Sequence, residues 1–300
     1  MSAVAPRDPQ PSVAAADDPA VEVEGPAAAI GACAPDDARP MVAQLHIGDG
    51  EHVEITRAQI VEGMRRLREL HEQDVRPDEG LRERKKRITR QLISDTATWM
   101  FCVKGFDRVT VAKVAEKVGV SEKTVFNYFP TKESLVLDRE EDLVAGITEA
   151  LSERRSGESP TRAILALIER ECRNIDALGP EYLPMFLAFL RMIDETPSLQ
   201  NARAQLSARL VAVARDALAA SVGADPRDPE PEVAAQALIA LWDVQTSSRE
   251  RHIRAGVPVG ELRERVLEDT RRAARLLDGG LGAFYDRSSD DVPNVGDPVV

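Results

Sequence analysis

Residues Thr110 to Phe129 read TVAKVAEKVGVSEKTVFNYF, and this stretch decides the fold. Thr110 stands where a helix N-cap belongs, VAKVAEKV follows at helical spacing, Gly119 breaks it, and Ser121 caps a second short helix. Two short capped helices around a tight turn make a helix-turn-helix unit. In the second helix Val125 and Phe129 stand four apart and share a face, which with Val114, Ala115, Val118 and Val120 can seal a small core. Lys123 with Asn127 and Thr124 with Tyr128 form further pairs four apart on the remaining circumference. Apolar positions pack, and hydrogen-bonding positions project.

Working outward, a helix runs through ITRQLISDTATWMFCVKG, with Ile88, Leu92, Ile93, Trp99, Met100 and Val103 on one face and Gly105 as its stop. Pro130 and Thr131 are expected to open a fourth helix toward Ile147, followed by longer helices over roughly 161–178, 181–195, 198–222, 232–255 and 259–281. Upstream, residues 1–40 are rich in Ala, Pro and Asp with no aromatic residue, the composition of a disordered tail. Residues 41–80 read as a hairpin around Gly48-Asp49-Gly50 and then a helix opened by Thr56 and Gln59 and carried by Ile60, Met64, Leu67 and Leu70. So small a unit should dock on the body or on a partner subunit.

The expected architecture is therefore all-α. Its parts are a hairpin-helix extension over 41–80, a three-helix helix-turn-helix domain over 81–137, a helical domain over 138–285, and a polar tail over 286–300.

Charge separates these parts. The chain carries a formal −12, yet residues 81–137 hold twelve Lys and Arg against six Asp and Glu. One basic module sits in an acidic body, which fits a protein that meets a polyanion with one part only. A helix with a free polar face fits the major groove of B-DNA. Asn127 can bond adenine bidentately and Lys123 can reach guanine, while Thr110, Ser121, Thr124, Tyr128 and Lys132 suit phosphate oxygens, which set register. The run Arg82, Arg84, Lys85, Lys86, Arg87 is either an arm for the minor groove or a solvated charge run.

These residues resemble the DNA-binding domain of the TetR family of transcriptional regulators. The matching positions are Gly105-Phe106, Thr110-Val111, Val114-Ala115, Gly119-Val120-Ser121, Thr124-Val125-Phe126, Tyr128-Phe129 and Lys132-Glu133, in order and without a gap between about residues 85 and 137. The resemblance implies a helical homodimer with a ligand-responsive C-terminal domain. One departure is Phe126, where family members often carry Tyr; packing of its ring against the domain is the favoured reading, with a sugar or thymine-methyl contact as the other.

In the C-terminal part, EYLPMFLAFLRMIDE gathers Tyr182, Met185, Phe186, Phe189 and Met192 at helical spacing, and Trp242 follows later. Such side chains either line a ligand pocket, with Arg191 available for an acidic group, or build plain core. Leu262, Val266, Thr270, Ala273 and Leu277 recur at roughly heptad spacing, and with AAQALIALWDV they suggest a two-fold dimer interface through the last two helices. A dimer sets two reading helices about one DNA turn apart, so the operator should be near-palindromic.

No catalytic or metal-binding constellation is found: His46, His52, His71 and His252 form no HExxH, and there is no phosphate loop or GxSxG elbow. Cys33, Cys102 and Cys172 are far apart and read as reduced, structural thiols. The expectation is thus a cytoplasmic, ligand-responsive repressor, without cofactor and not an enzyme, whose partners are a double-stranded operator and a small apolar or amphipathic effector, with no membrane role. The alternative is a helical interaction protein that does not bind DNA.

Overall fold

The computed structural model describes residues 43–47 and 51–55, the helical positions 58, 62, 63 and 65, and residues 80–285 apart from 156, 174, 176–178 and 181. Strands β1 (Ala43–Ile47) and β2 (Glu51–Ile55) pair antiparallel with His46 opposite His52, so the hairpin is present, and its strands lie against two helices of the body. Ala58, Glu62, Gly63 and Arg65 are helical, while Ile60, Met64, Leu67 and Leu70, the tails at 1–40 and 286–300, and Cys33 lie outside the described residues. Among the described residues every other regular element is helical.

Helix α1 (Leu81–Lys104) is followed by α2 (Val111–Val118) and α3 (Glu122–Tyr128). The helix begins seven residues before Ile88, and the basic run is its first two turns. No breaker separates Gly80 from Gly105, and straight-chain Arg, Lys and Glu are good helix formers. Arg82, Arg84, Lys85 and Lys86 are exposed on this helix, as a solvated charge run would be. Ile88 is 37% exposed and leaves the apolar face, whereas Leu92, Ile93, Trp99, Met100 and Val103 are buried as their spacing predicts.

Local chemistry ends and starts the two short helices. Thr110 Oγ1 accepts from Lys113 N at 3.3 Å, and Ser121 Oγ accepts from Thr124 N at 3.0 Å. Gly119 takes φ +81°, and the N–H groups of Gly119 and Val120 return to the carbonyls of Glu116 and Ala115. That closure satisfies carbonyls the helix end would leave open, and it requires the left-handed conformation that glycine adopts freely.

The helix expected from Pro130 does not form. Thr131 and Ser134 bond each other's backbone, a 3₁₀ turn covers Glu133–Leu135, and the next helix, α4, begins at Glu140 and ends at Ser152. The intervening chain is held on α1 instead: Ser94 Oγ donates to Asp138 Oδ2 at 2.6 Å, and Arg90 NH1 donates to the Asp138 carbonyl at 2.7 Å.

The body continues with α5 (Pro160–Glu171), α6 (Tyr182–Glu195), α7 (Pro197–Val222), α8 (Pro229–Arg254) and α9 (Val259–Tyr285). Ser159 caps α5 directly before Pro160, a residue suited to a first helical position because it has no N–H to satisfy. Helix α8 is central, packing on α5, α7 and α9, while α4 packs on α5 and α7. α6 joins the body to α1, and a single apolar cluster runs from Leu92 through Val125 and Phe186 to Leu267.

Heptad positions Leu262, Val266 and Thr270 are all 0% exposed. They seat α9 on its own chain, so the seam read from their spacing is used inside the protomer. Val233 and Leu276, at 63% and 81% exposure, lie on the outer surface of the last two helices. Among the described residues no helix is long and apolar enough to cross a membrane.

Candidate nucleic-acid interface and ligand cavity

Helix α3 is anchored from one side. Val125 is 0% and Phe129 1% exposed, and Val114, Ala115 and Val118 of α2 close the same small core. The opposite side carries the side chains expected to project. Lys123, Asn127 and Ser121 are exposed, and Thr124 and Tyr128 are half-buried. Among the described residues the side chains of Lys123 and Asn127 make no intramolecular hydrogen bond, so their polar groups are available to a partner. Ser121 and Thr124 share a hydroxyl contact at 2.8 Å beside the N-terminal amides of α3, and Thr110 marks the exposed start of α2.

Two residues of this region stand differently from their sequence reading. Phe126 is 46% exposed, which overturns the expectation that its ring packs into the domain. It sits beside Asn127 on the solvent side, one residue past the buried Val125. Lys132 is turned inward: Nζ donates to the Phe106 carbonyl at 2.6 Å and stands 4.2 Å from the Phe106 ring centroid and 5.4 Å from that of Phe101. Burial lowers its pKa, against the nearby charges of Asp107 and Glu133. These bonds give the ammonium a structural task and take it away from the phosphate role.

A cavity of about 880 Å³ lies between α1 and the body helices. Tyr182, Met185, Phe186 and Phe189, four of the five residues singled out by spacing, line it together with Trp242. Met192 is buried instead in the surrounding core. Arg191 is exposed and donates to Glu195 Oε1 at 2.6 Å, away from the lining. Its expected place is taken by Arg249 of α8. That guanidinium donates to Tyr182 Oη at 2.8 Å and lies 5.0 Å from the centroid of the Phe186 ring. Burial raises the Tyr182 pKa, and Arg249 opposes that rise without cancelling it.

The same cavity reaches α1, where Arg90, Gln91, Ser94, Asp95 and Cys102 form its wall, together with Asp138. Burial pushes the Asp138 carboxyl up, the Ser94 hydroxyl opposes this, and neighbouring Asp95 adds to it. Burial also pushes the Cys102 thiol up to about 12, so it behaves as a packed apolar group. Cys102 and Cys172 are both free thiols. Arg90 and Asp138 were not singled out from the sequence, and only their position between the reading unit and the cavity distinguishes them.

Residues 93–138 match the model of the bacterial regulatory proteins of the tetR family. The HTH-type transcriptional regulator TcmR of Streptomyces glaucescens is 30% identical over 128 residues, 40% of this chain and 54% of TcmR. The nucleoid occlusion factor SlmA of Vibrio atlanticus is 32% identical over 89 residues, 28% of this chain and 45% of SlmA. The chain thus spans about half the length of the curated relatives it matches. The solved structure of NalD, the secondary repressor of the MexAB-OprM multidrug efflux pump in Pseudomonas aeruginosa, aligns with a TM-score of 0.38 at 17% identity over 63% of this chain and 97% of that one. The segment that builds the helix-turn-helix unit is thus similar to the DNA-binding domain of the bacterial regulatory proteins of the tetR family.

Proposed function

We propose that this chain is a sequence-specific DNA-binding transcriptional regulator, a ligand-responsive repressor that acts as a homodimer on a near-palindromic operator. The observation that carries the reading is the two-sided build of α3. Val125 and Phe129 fix it from below, and Lys123 and Asn127 stand exposed above. Asn127 and Lys123 read base edges in the major groove, while Thr110, Ser121, Thr124 and Tyr128 meet phosphate and set the register. Phe126, exposed between them, offers an apolar contact for a thymine methyl or a sugar.

The effector site is the cavity behind α1. A molecule in it touches the helix that carries the reading unit, so occupancy that favours another placement of α1 disfavours the operator-bound spacing of the two reading helices. Ligand and operator then weaken each other by the same factor, typically about 1–3 kcal/mol of coupling. The dimer uses the outer surface of α8 and α9, where Val233 and Leu276 are exposed, because the inner heptad face is already covered.

The salt dependence of duplex binding tests the reading. A regulator that neutralises phosphates loses affinity steeply as salt rises, with a slope set by the number of contacts. A flat response, or no duplex binding at low salt, would support the helical interaction protein instead.

A further inference from the structure

Arg249 is a charged group on the cavity lining whose pairing is incomplete. A guanidinium offers five N–H donors. One meets Tyr182 Oη at 2.8 Å, another points toward Cys172 Sγ at 3.7 Å, and Nε is buried with no partner. Among the described residues no carboxylate is paired with it.

Three acidic groups elsewhere on the lining are already served. Asp243 takes Arg203 at 3.2 Å, Glu171 takes Arg139, and Asp138 takes the Ser94 hydroxyl. The open donors of Arg249 therefore favour an incoming negative charge at that end of the cavity.

The surroundings sharpen the choice. Phe186 holds the guanidinium against its face, and Tyr182 packs on Phe186 with ring centroids 5.7 Å apart. By accepting from Arg249, the Tyr182 hydroxyl keeps its own proton for a further acceptor. While the cavity is wet, water can solvate the open side of the charge. An apolar body that displaces this water leaves a guanidinium in a low-dielectric site, a costly state unless the molecule brings an anion. A carboxylate answers that need with charge-assisted bonds of good geometry.

We propose that the cavity takes an amphipathic molecule with a carboxylate head, received by Arg249 and Tyr182, its apolar body lying along Met185, Phe189 and Trp242. This rests on reading the cavity as a ligand site and adds the chemical class of the ligand.

The test uses the full chain and two matched probes, 1-pyrenebutyrate and 1-pyrenebutanol, followed by calorimetry and by quenching of tryptophan emission; one of the two tryptophans, Trp242, lies on the lining. The acid should bind at least about tenfold more tightly than the alcohol, the scale of one charge-assisted pair. In Arg249→Gln that preference should shrink to about threefold or less, with the alcohol's affinity nearly unchanged, and Arg249→Lys should restore part of it. The unaltered chain already tests the charge preference, so a poorly folding variant does not remove the test. Equal binding of acid and alcohol overturns the charge assignment and leaves the cavity reading standing. An acid preference that survives in Arg249→Gln places the anion elsewhere and overturns the proposal. Binding of neither probe overturns both the proposal and the cavity reading.

Discussion

The guanidinium of Arg90 lies over the ring of Phe129, 4.6 Å from its centroid. Phe129 closes the end of the reading helix, and the same Arg90 donates through NH1 to the Asp138 carbonyl at 2.7 Å on the cavity wall. One side chain therefore touches both the part that would meet DNA and the part that would meet ligand. Arg90→Met keeps much of the apolar stem and removes both contacts. It should lower unfolding stability by about 1–2 kcal/mol in denaturant titrations and weaken the effect of ligand on operator affinity. Unchanged stability with unchanged coupling would show that the link is idle.

Phe126 separates surface from core. An exposed ring contributes little to folding, so Phe126→Ala should alter stability by no more than about 0.5 kcal/mol while weakening operator binding. A stability loss of about 3–5 kcal/mol, the cost of emptying a core aromatic site, would mean the ring is packed after all.

Lys132 gives the opposite pattern. Its ammonium bonds the Phe106 carbonyl and lies on two aromatic rings, so Lys132→Met should cost about 1–2 kcal/mol of stability by thermal or chemical unfolding. The salt slope of DNA binding should be unchanged, whereas a slope reduced by about one would return Lys132 to the phosphate contacts.

The short helices were legible because their signals are local. Thr110, Gly119 and Ser121 act on the backbone within a few residues, whatever surrounds them. Tyr182, Met185, Phe186 and Phe189 were found for a related reason: helical spacing puts large side chains on one face, and the body closes over it. Spacing does not reveal which arginine faces inward. Arg191 and Arg249 are chemically alike, and only the packing of α6 on α7 and α8 on α5 turns one to solvent and the other to the cavity. The heptad of α9 misled in the same way. Leu262, Val266 and Thr270 demand a partner, but periodicity does not say whether it is another chain or the same one.

Asp269 ties the last two helices together and sets a pH dependence. Burial raises its pKa, but bonds from Ser248, Arg251 and His252 outweigh burial and hold it below the usual carboxylate value. A carboxylate depressed in the folded state stabilises above its unfolded pKa, and that contribution is lost as pH falls through the folded one. Asp269→Asn should cost about 2 kcal/mol at pH 7, with the difference from the unaltered chain narrowing below about pH 4. Asp138 has the opposite sign. Its raised pKa makes ionisation unfavourable, so Asp138→Asn should gain stability at pH 7 and lose that advantage in acid, as unfolding curves at both pH values would show.

The central claim is that α3 reads DNA through Lys123 and Asn127. Duplexes enriched from a random pool by the full chain supply the operator, and its affinity is then measured against single-base variants for the unaltered chain and for Asn127→Ala. The account predicts a near-palindromic site, a loss of about 1–3 kcal/mol in the variant, and relaxed preference confined to one position in each half-site. Enrichment of the same sequence by Asn127→Ala, with unchanged affinity and unchanged preference at every position, would contradict it.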